Sequence, residues 1–158
     1  MRRIVYASFS HKPLGLDALF ELLVHSRRAN TARGVTGALF YQDRFFLQCL
    51  EGPTLEVSDL IERIARDRRH AAFTVLSDQP MVATRLFSSW AMGFFHMEAI
   101  EAIAPPGLLT EVANFEQSLS GPHAGDPAAV LLRQYWAANA RHLVRPVGTG
   151  SRATSSPY

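Results

Sequence analysis

The 158-residue sequence predicts an α+β sandwich of the ferredoxin-like kind, and three observations carry that prediction. Hydrophobic spacing switches between a period of two and a period near 3.6 in the order β-α-β-β-α-β-β. A tight turn at Gln42-Asp43-Arg44 folds the second and third strands into a hairpin. The third strand, from Phe45 to Leu50, is apolar on both faces apart from Gln48, as suits a strand at the centre of a sheet covered on both sides. The expected architecture is a five-stranded mixed sheet with two helices on one face and C-terminal helices on the other.

Each element has its own justification. Ile4 to Phe9 is a β-branched and aromatic run that places Ile4, Tyr6 and Ser8 on one face and Val5, Ala7 and Phe9 on the other. Leu16, Leu19, Phe20 and Leu23 then follow helical spacing, and the same stripe runs on through Ser26 or Arg27 to Asn30, turning an asparagine toward the core. Gly34 ends this helix, and Val35 to Tyr41 forms a strand interrupted by Gly37. Gly52-Pro53 stops the Gln48 strand, and Val57, Leu60, Ile61 and Ile64 supply the stripe of a second helix that closes on Arg66-Asp67-Arg68-Arg69-His70. Ala72 to Leu76 and Trp90 to His96 read as two more strands. Residues 1–104 thus make one domain, ended by Pro105-Pro106-Gly107; residues 105–147 read as a helical extension, Leu108–Leu119 and Ala128–Val144, and residues 148–158 as a Ser/Thr/Gly-rich tail. Val130, Leu131, Tyr135 and Trp136 are the expected cover for the outer sheet face, within the chain or across a dimer.

Composition narrows the function. Sixteen basic and fourteen acidic residues give a net charge of +2, too little for a strong field toward nucleic acid or an anionic membrane, so direct nucleic-acid binding is not expected. No apolar run has transmembrane length, and a strand begins by the fourth residue, which leads to the expectation of a cytoplasmic protein without a signal peptide. The lone Cys49 sits in the central strand and reads as a small core residue rather than a nucleophile. The six histidines show no zinc-ligand spacing, and the chain has no phosphate-cradling glycine loop, nucleophile elbow or carboxylate pair on one face.

In a ferredoxin-like sheet the first and third strands are central neighbours, so Tyr6, Gln48 and Asn30 gather between the sheet and the first helix. A buried primary amide is costly unless its donors and acceptor are paired. Two readings of this uncharged trio stay open on the residues alone: a core network whose members satisfy one another, or a pocket for a flat, neutral ligand rich in donors and acceptors. The phenol adds an oxidisable electron donor, which favours photochemistry over hydrolysis.

The segments Ile4-Val5-Tyr6-Ala7-Ser8, Ser26-Arg27-Arg28-Ala29-Asn30, Gly34-Val35-Thr36-Gly37, Phe46-Leu47-Gln48-Cys49-Leu50-Glu51-Gly52-Pro53 and Trp90-Ala91-Met92-Gly93-Phe94 resemble the BLUF domain, a blue-light sensor using flavin. The resemblance covers residues 2 to 97 in the family's order. It implies a noncovalently bound FAD, with FMN or riboflavin as variants, and matches Tyr6 and Gln48 to the photoactive pair. It further matches Asn30, Ser26 and Ser8 to the cofactor pocket, and Trp90 and Met92 to the signal-relay positions of the last strand. The implied cycle has Tyr6 giving an electron and a proton to excited flavin, after which Gln48 is left with altered hydrogen bonds and the absorption is red-shifted. No catalytic turnover is expected, and the signal passes to a separate downstream protein, through an oligomer of this chain or both. Ala29, the Asp43-Arg44 turn and a one-residue displacement of the Trp90 motif depart from the family pattern without touching the photochemical residues. An acylphosphatase-like hydrolase and a flavin-free interaction domain are the competing readings; the first needs an anion-binding loop that the sequence lacks, and the second predicts a colourless protein. Among the arginines that end the two helices, Arg27, Arg28 and Arg33 on the first and Arg66, Arg68 and Arg69 on the second, one is expected to meet the flavin phosphate at the pocket mouth.

Overall fold

The computed structural model describes residues 1–88, 93–96 and 115–139. Five strands, β1 (Arg2–Ser10), β2 (Thr36–Gln42), β3 (Phe45–Gly52), β4 (His70–Gln79) and β5 (Gly93–His96), form one sheet in the order β4-β1-β3-β2-β5. All neighbours are antiparallel except β2 and β5, so the sheet is mixed. Strands β1 and β3 are central, and their register sets Tyr6 opposite Gln48. The β2–β3 hairpin turns on Asp43 and Arg44, both at positive φ (47° and 68°), the twist that a two-residue hairpin loop requires. Gly37 is demanded by close approach: a Cβ there would stand 2.0 Å from the Cys49 carbonyl oxygen.

Helices α1 (Leu16–Arg33) and α2 (Thr54–Arg66) lie together on the face that carries Ile4, Tyr6 and Leu50. From α2, Val57 and Ile61 are buried there, with Leu60 and Ile64 half-buried beside them, as the spacing predicts. The packing of α1 differs from expectation. Leu19 is buried and Leu22 and Leu23 are half-buried against the core, whereas Leu16 and Phe20 face outward. Two apolar stripes run along this helix, and only one can meet the sheet.

The opposite face is covered within the chain. Val5, Phe40, Leu47 and Cys49 pack against Phe115, Leu119 and the helix α3 (Pro127–Asn139). Ala128, Ala129, Leu132 and Trp136 are the buried residues of α3, with Leu131 and Tyr135 at their margin; Val130 lies off the stripe and Leu132 takes its place. Residues 115–118 are helical, and the remainder of the expected Leu108–Leu119 helix, the end of the Ala128–Val144 helix, the 104/105 boundary and the 148–158 tail lie outside the described residues.

An ionic network anchors α3 at one end of the sheet. Arg3, 1% exposed, donates from Nε to Glu51 at 2.9 Å, and also to Asp126 and to the Thr84 carbonyl. Glu51 accepts the backbone N–H groups of Leu86 and Phe87, and Asp126 caps α3 through the N–H groups of Ala128 and Ala129. Each buried charge therefore has an opposite charge and further hydrogen bonds, the condition under which burying ions is tolerable.

Candidate functional site

Local sequence explains how α1 delivers Asn30. Gly34 adopts the left-handed conformation (φ 62°) and closes the helix by donating its N–H to the carbonyls of Asn30 and Thr31. Val35 N–H also bonds the Asn30 carbonyl at 2.9 Å, so the helix ends and β2 starts on the backbone of one asparagine. Its side chain, buried with the residue only 3% exposed, turns into a cavity of about 230 Å³ between α1, the C-terminal half of α2 and the sheet. Tyr6 and Gln48 line the same cavity, as do Ser26 from α1 and the apolar side chains Leu39 and Phe46.

Tyr6 is buried, stacks on Phe73 with ring centroids 4.7 Å apart, and donates its O–H to Gln48 Oε1. Burial pushes the phenol far above its ordinary range, so it keeps its proton at any working pH. The three residues expected to meet, Tyr6, Asn30 and Gln48, do meet, and Ser26 joins them. Ser8 is fully buried but is not among the lining residues; its Oγ lies 2.8 Å from Nδ1 of His70, which does line the cavity. Trp90 and Met92 lie outside the described residues.

The turn after α2 supplies two groups that sequence reasoning did not assign, Asp67 and His70, beside Arg69, one of the arginines it named for the phosphate. Asp67, Arg69 and His70 all line the cavity. Arg69 grips Asp67 through the Nε–Nη2 edge of its guanidinium, at 2.6 Å in the shortest contact, and holds its carboxyl at about 2. The His70 ring lies tilted against Phe46, centroids 5.3 Å apart, and its burial pushes the imidazole below its ordinary value, so it is neutral at neutral pH. No periodicity marks His70 as facing inward; its place is set by the pairing of β4 with β1, where Ser10 stands opposite it.

A second hollow of about 790 Å³ adjoins the first and shares Leu22, His25, Phe46, Arg69 and His70 with it. Its other walls include Lys12 and Arg68. Together the two spaces make a cleft with a neutral, hydrogen-bonding inner end and a basic outer end. Of the expected arginines, Arg33, Arg68 and Arg69 line the cleft, and Arg27, Arg28 and Arg66 do not. Arg33 is tied to Asp59 at 2.7 Å and bridges α1 to α2. Burial also raises the Cys49 thiol well above its usual value on the other side of β3, which fits an inert core residue. Among the described residues no cluster of side chains has the makings of a metal site, and no helix is long and apolar enough to cross a membrane.

Fold and site thus define a ferredoxin-like α+β domain whose helix-covered face holds an elongated small-molecule cleft with an uncharged head end. The chain belongs to the BLUF family, sensors of blue light using FAD, whose family model matches residues 1–93. It is 34% identical over 104 residues to the photoactivated adenylate cyclase subunit beta of Euglena gracilis, a match covering 63% of this chain but 12% of that protein. Among solved structures, BlrB, a BLUF protein in its dark state, superposes with a TM-score of 0.58 at 25% identity over 75% of this chain and 93% of that one. BlrP1 of Klebsiella pneumoniae, in a complex with manganese and cyclic di-GMP, gives 0.67 at 25% identity over 92% of this chain and 35% of that one. The cleft fits a flavin on its own chemistry: a neutral polar end suits a ring edge of carbonyl and imide groups, and the basic outer end suits a phosphate-bearing tail.

Proposed function

We propose that this chain is a light sensor in which Tyr6 and Gln48 carry the photochemical switch, Asn30 and Ser26 hold the flavin ring, and Lys12, Arg68 and Arg69 receive its phosphate tail. The observation that carries the reading is the Tyr6 O–H donating to Gln48 Oε1 at the inner end of a cavity that Asn30 also lines. When bound, the flavin supplies the chromophore and, once excited, an acceptor for an electron and a proton.

The residues do the rest. Tyr6 holds a transferable proton because burial keeps its phenol un-ionised, and stacking on Phe73 fixes its ring. Gln48 lines the cavity and presents its carbonyl oxygen as acceptor to Tyr6; because an amide carries a donor at its other end, a change in the Tyr6 proton alters its preferred orientation. Its neighbour Cys49 packs on the α3 side, so β3 touches the cleft with one face and the C-terminal extension with the other. A hydrogen-bond change of about 1 kcal/mol shifts a nearly balanced packing equilibrium several-fold. The light signal leaves by that route, with Trp90 and Met92 as relay positions, and reaches a separate effector protein; the chain senses rather than catalyses.

Purification in darkness followed by absorption spectra before and after blue light tests this. A yellow protein with a reversible red shift supports it, while a colourless protein, or one whose flavin spectrum ignores light, overturns it.

A further inference from the structure

The outward stripe of α1 has no role in the cleft. Leu16, Phe20 and Val24 are 46%, 68% and 53% exposed, and they recur every fourth residue. At 3.6 residues per turn they fall within an arc of about 80° and span about 12 Å along the helix. Scattered apolar side chains need no explanation, but a row of three on one helix flank is the pattern of a helix that meets another.

Charge along the same helix says what the other helix is. Asp17 and Glu21 are exposed in its first half, Arg27 and Arg28 in its second. From the helical repeat, Asp17 and Arg28 lie on one side of the stripe, about 60° and 80° round from Phe20. When two copies of α1 pair antiparallel about a two-fold axis near residue 22, Phe20 comes level with Val24 of the second copy and Asp17 level with its Arg28. Like flanks face each other in that arrangement, so the Asp17–Arg28 contact forms twice, as a two-fold interface requires. A parallel two-fold pairing turns like flanks to opposite sides of the contact, so neither Asp17–Arg28 contact would form.

We infer that this face of α1 is a self-association surface, joining two copies of the chain through an antiparallel α1–α1 contact centred on Phe20 and Val24. One helix from each copy buries less than the roughly 1,600 Å² of a standard interface, so the dimer is weak and concentration-dependent. The contact grips the helix whose other side carries Ser26 and Asn30 into the cleft. It does not depend on the photosensory reading, and the two fail separately.

Sedimentation velocity of the full chain over a range of concentrations tests the inference. Wild type should pass from monomer to dimer, and Phe20→Glu should weaken association about tenfold or more. Asp17→Arg and Arg28→Asp should each weaken it, and the double variant should restore it. Because Cys49 is buried, introduced surface cysteines report cleanly: a mixture of F20C and V24C proteins should crosslink more than either alone. A chain that stays monomeric, a dimer indifferent to Phe20→Glu, or charge swaps that fail to rescue each other would overturn it.

Discussion

Replacing Tyr6 by phenylalanine removes one oxygen from a buried ring and leaves its shape in place. Tyr6 is 1% exposed and stacked on Phe73, so the aromatic volume persists and no cavity opens. The loss is the hydrogen bond to Gln48 Oε1, and leaving a buried acceptor without that donor costs about 1–3 kcal/mol. A domain of ordinary stability, about 5–15 kcal/mol, survives that cost. The variant should fold and stay yellow, yet fail to form the lit state, since the transferable proton has gone. Absorption spectra before and after blue light, taken alongside thermal unfolding, check both halves. A folded Tyr6→Phe protein that red-shifts like wild type would refute the role given to this residue.

The same burial sets a pH dependence. The folded-state phenol titrates well above the unfolded value of about 10, so the folded chain binds more protons than the unfolded one once pH passes 10. This contribution is complete below that value and lost as pH rises beyond it, while the amplitude of the light response should be flat from about pH 6 to 9 with respect to Tyr6.

Gln48→Ala should bind flavin but show no red shift, because no amide remains to exchange hydrogen bonds; a full shift would remove it from the mechanism. Asn30→Ala strips a polar group from the buried cavity wall and should lower flavin retention by a factor corresponding to about 1–3 kcal/mol, read as flavin lost on dialysis. Glu51→Gln leaves Asp126 as the one carboxylate on Arg3 and puts an amide before the N–H groups of Leu86 and Phe87, so it should cost about 1–3 kcal/mol in urea unfolding while sparing the dark spectrum. Deleting residues 105–158 should leave the photocycle in place but bare Phe40, Leu47 and Trp-packed sheet surface, seen as aggregation by light scattering.

What the sequence made legible follows from how strongly each signal was over-determined. The Tyr6–Gln48 pairing could be read because β3 had one hydrogen-bonding side chain at the middle of an otherwise apolar strand, and the ferredoxin-like strand order set it beside the middle of β1, where Tyr6 stands on the same face. The orientation of α1 could not, because Leu16-Phe20-Val24 and Leu19-Leu23-Ser26-Asn30 are both helical stripes and periodicity does not say which meets the sheet. Only the end of the helix decides: Gly34 and Val35 hold the Asn30 carbonyl, which fixes the rotation and turns the first stripe away. Similarly, His70 looked like the trailing charge of a helix because β4 was read as starting at Ala72; pairing with Ser10 extends that strand back and draws the imidazole beside Ser8 and Phe46. Both misreadings concern which way a residue faces, a property set by contacts distant in sequence. The apolar character of both faces of β3 was plain from the start, and its consequence reaches furthest: Gln48 lines the cleft while Leu47 and Cys49 pack under α3, so a strand one residue thick separates the cleft-lining amide from the helix proposed to carry its signal.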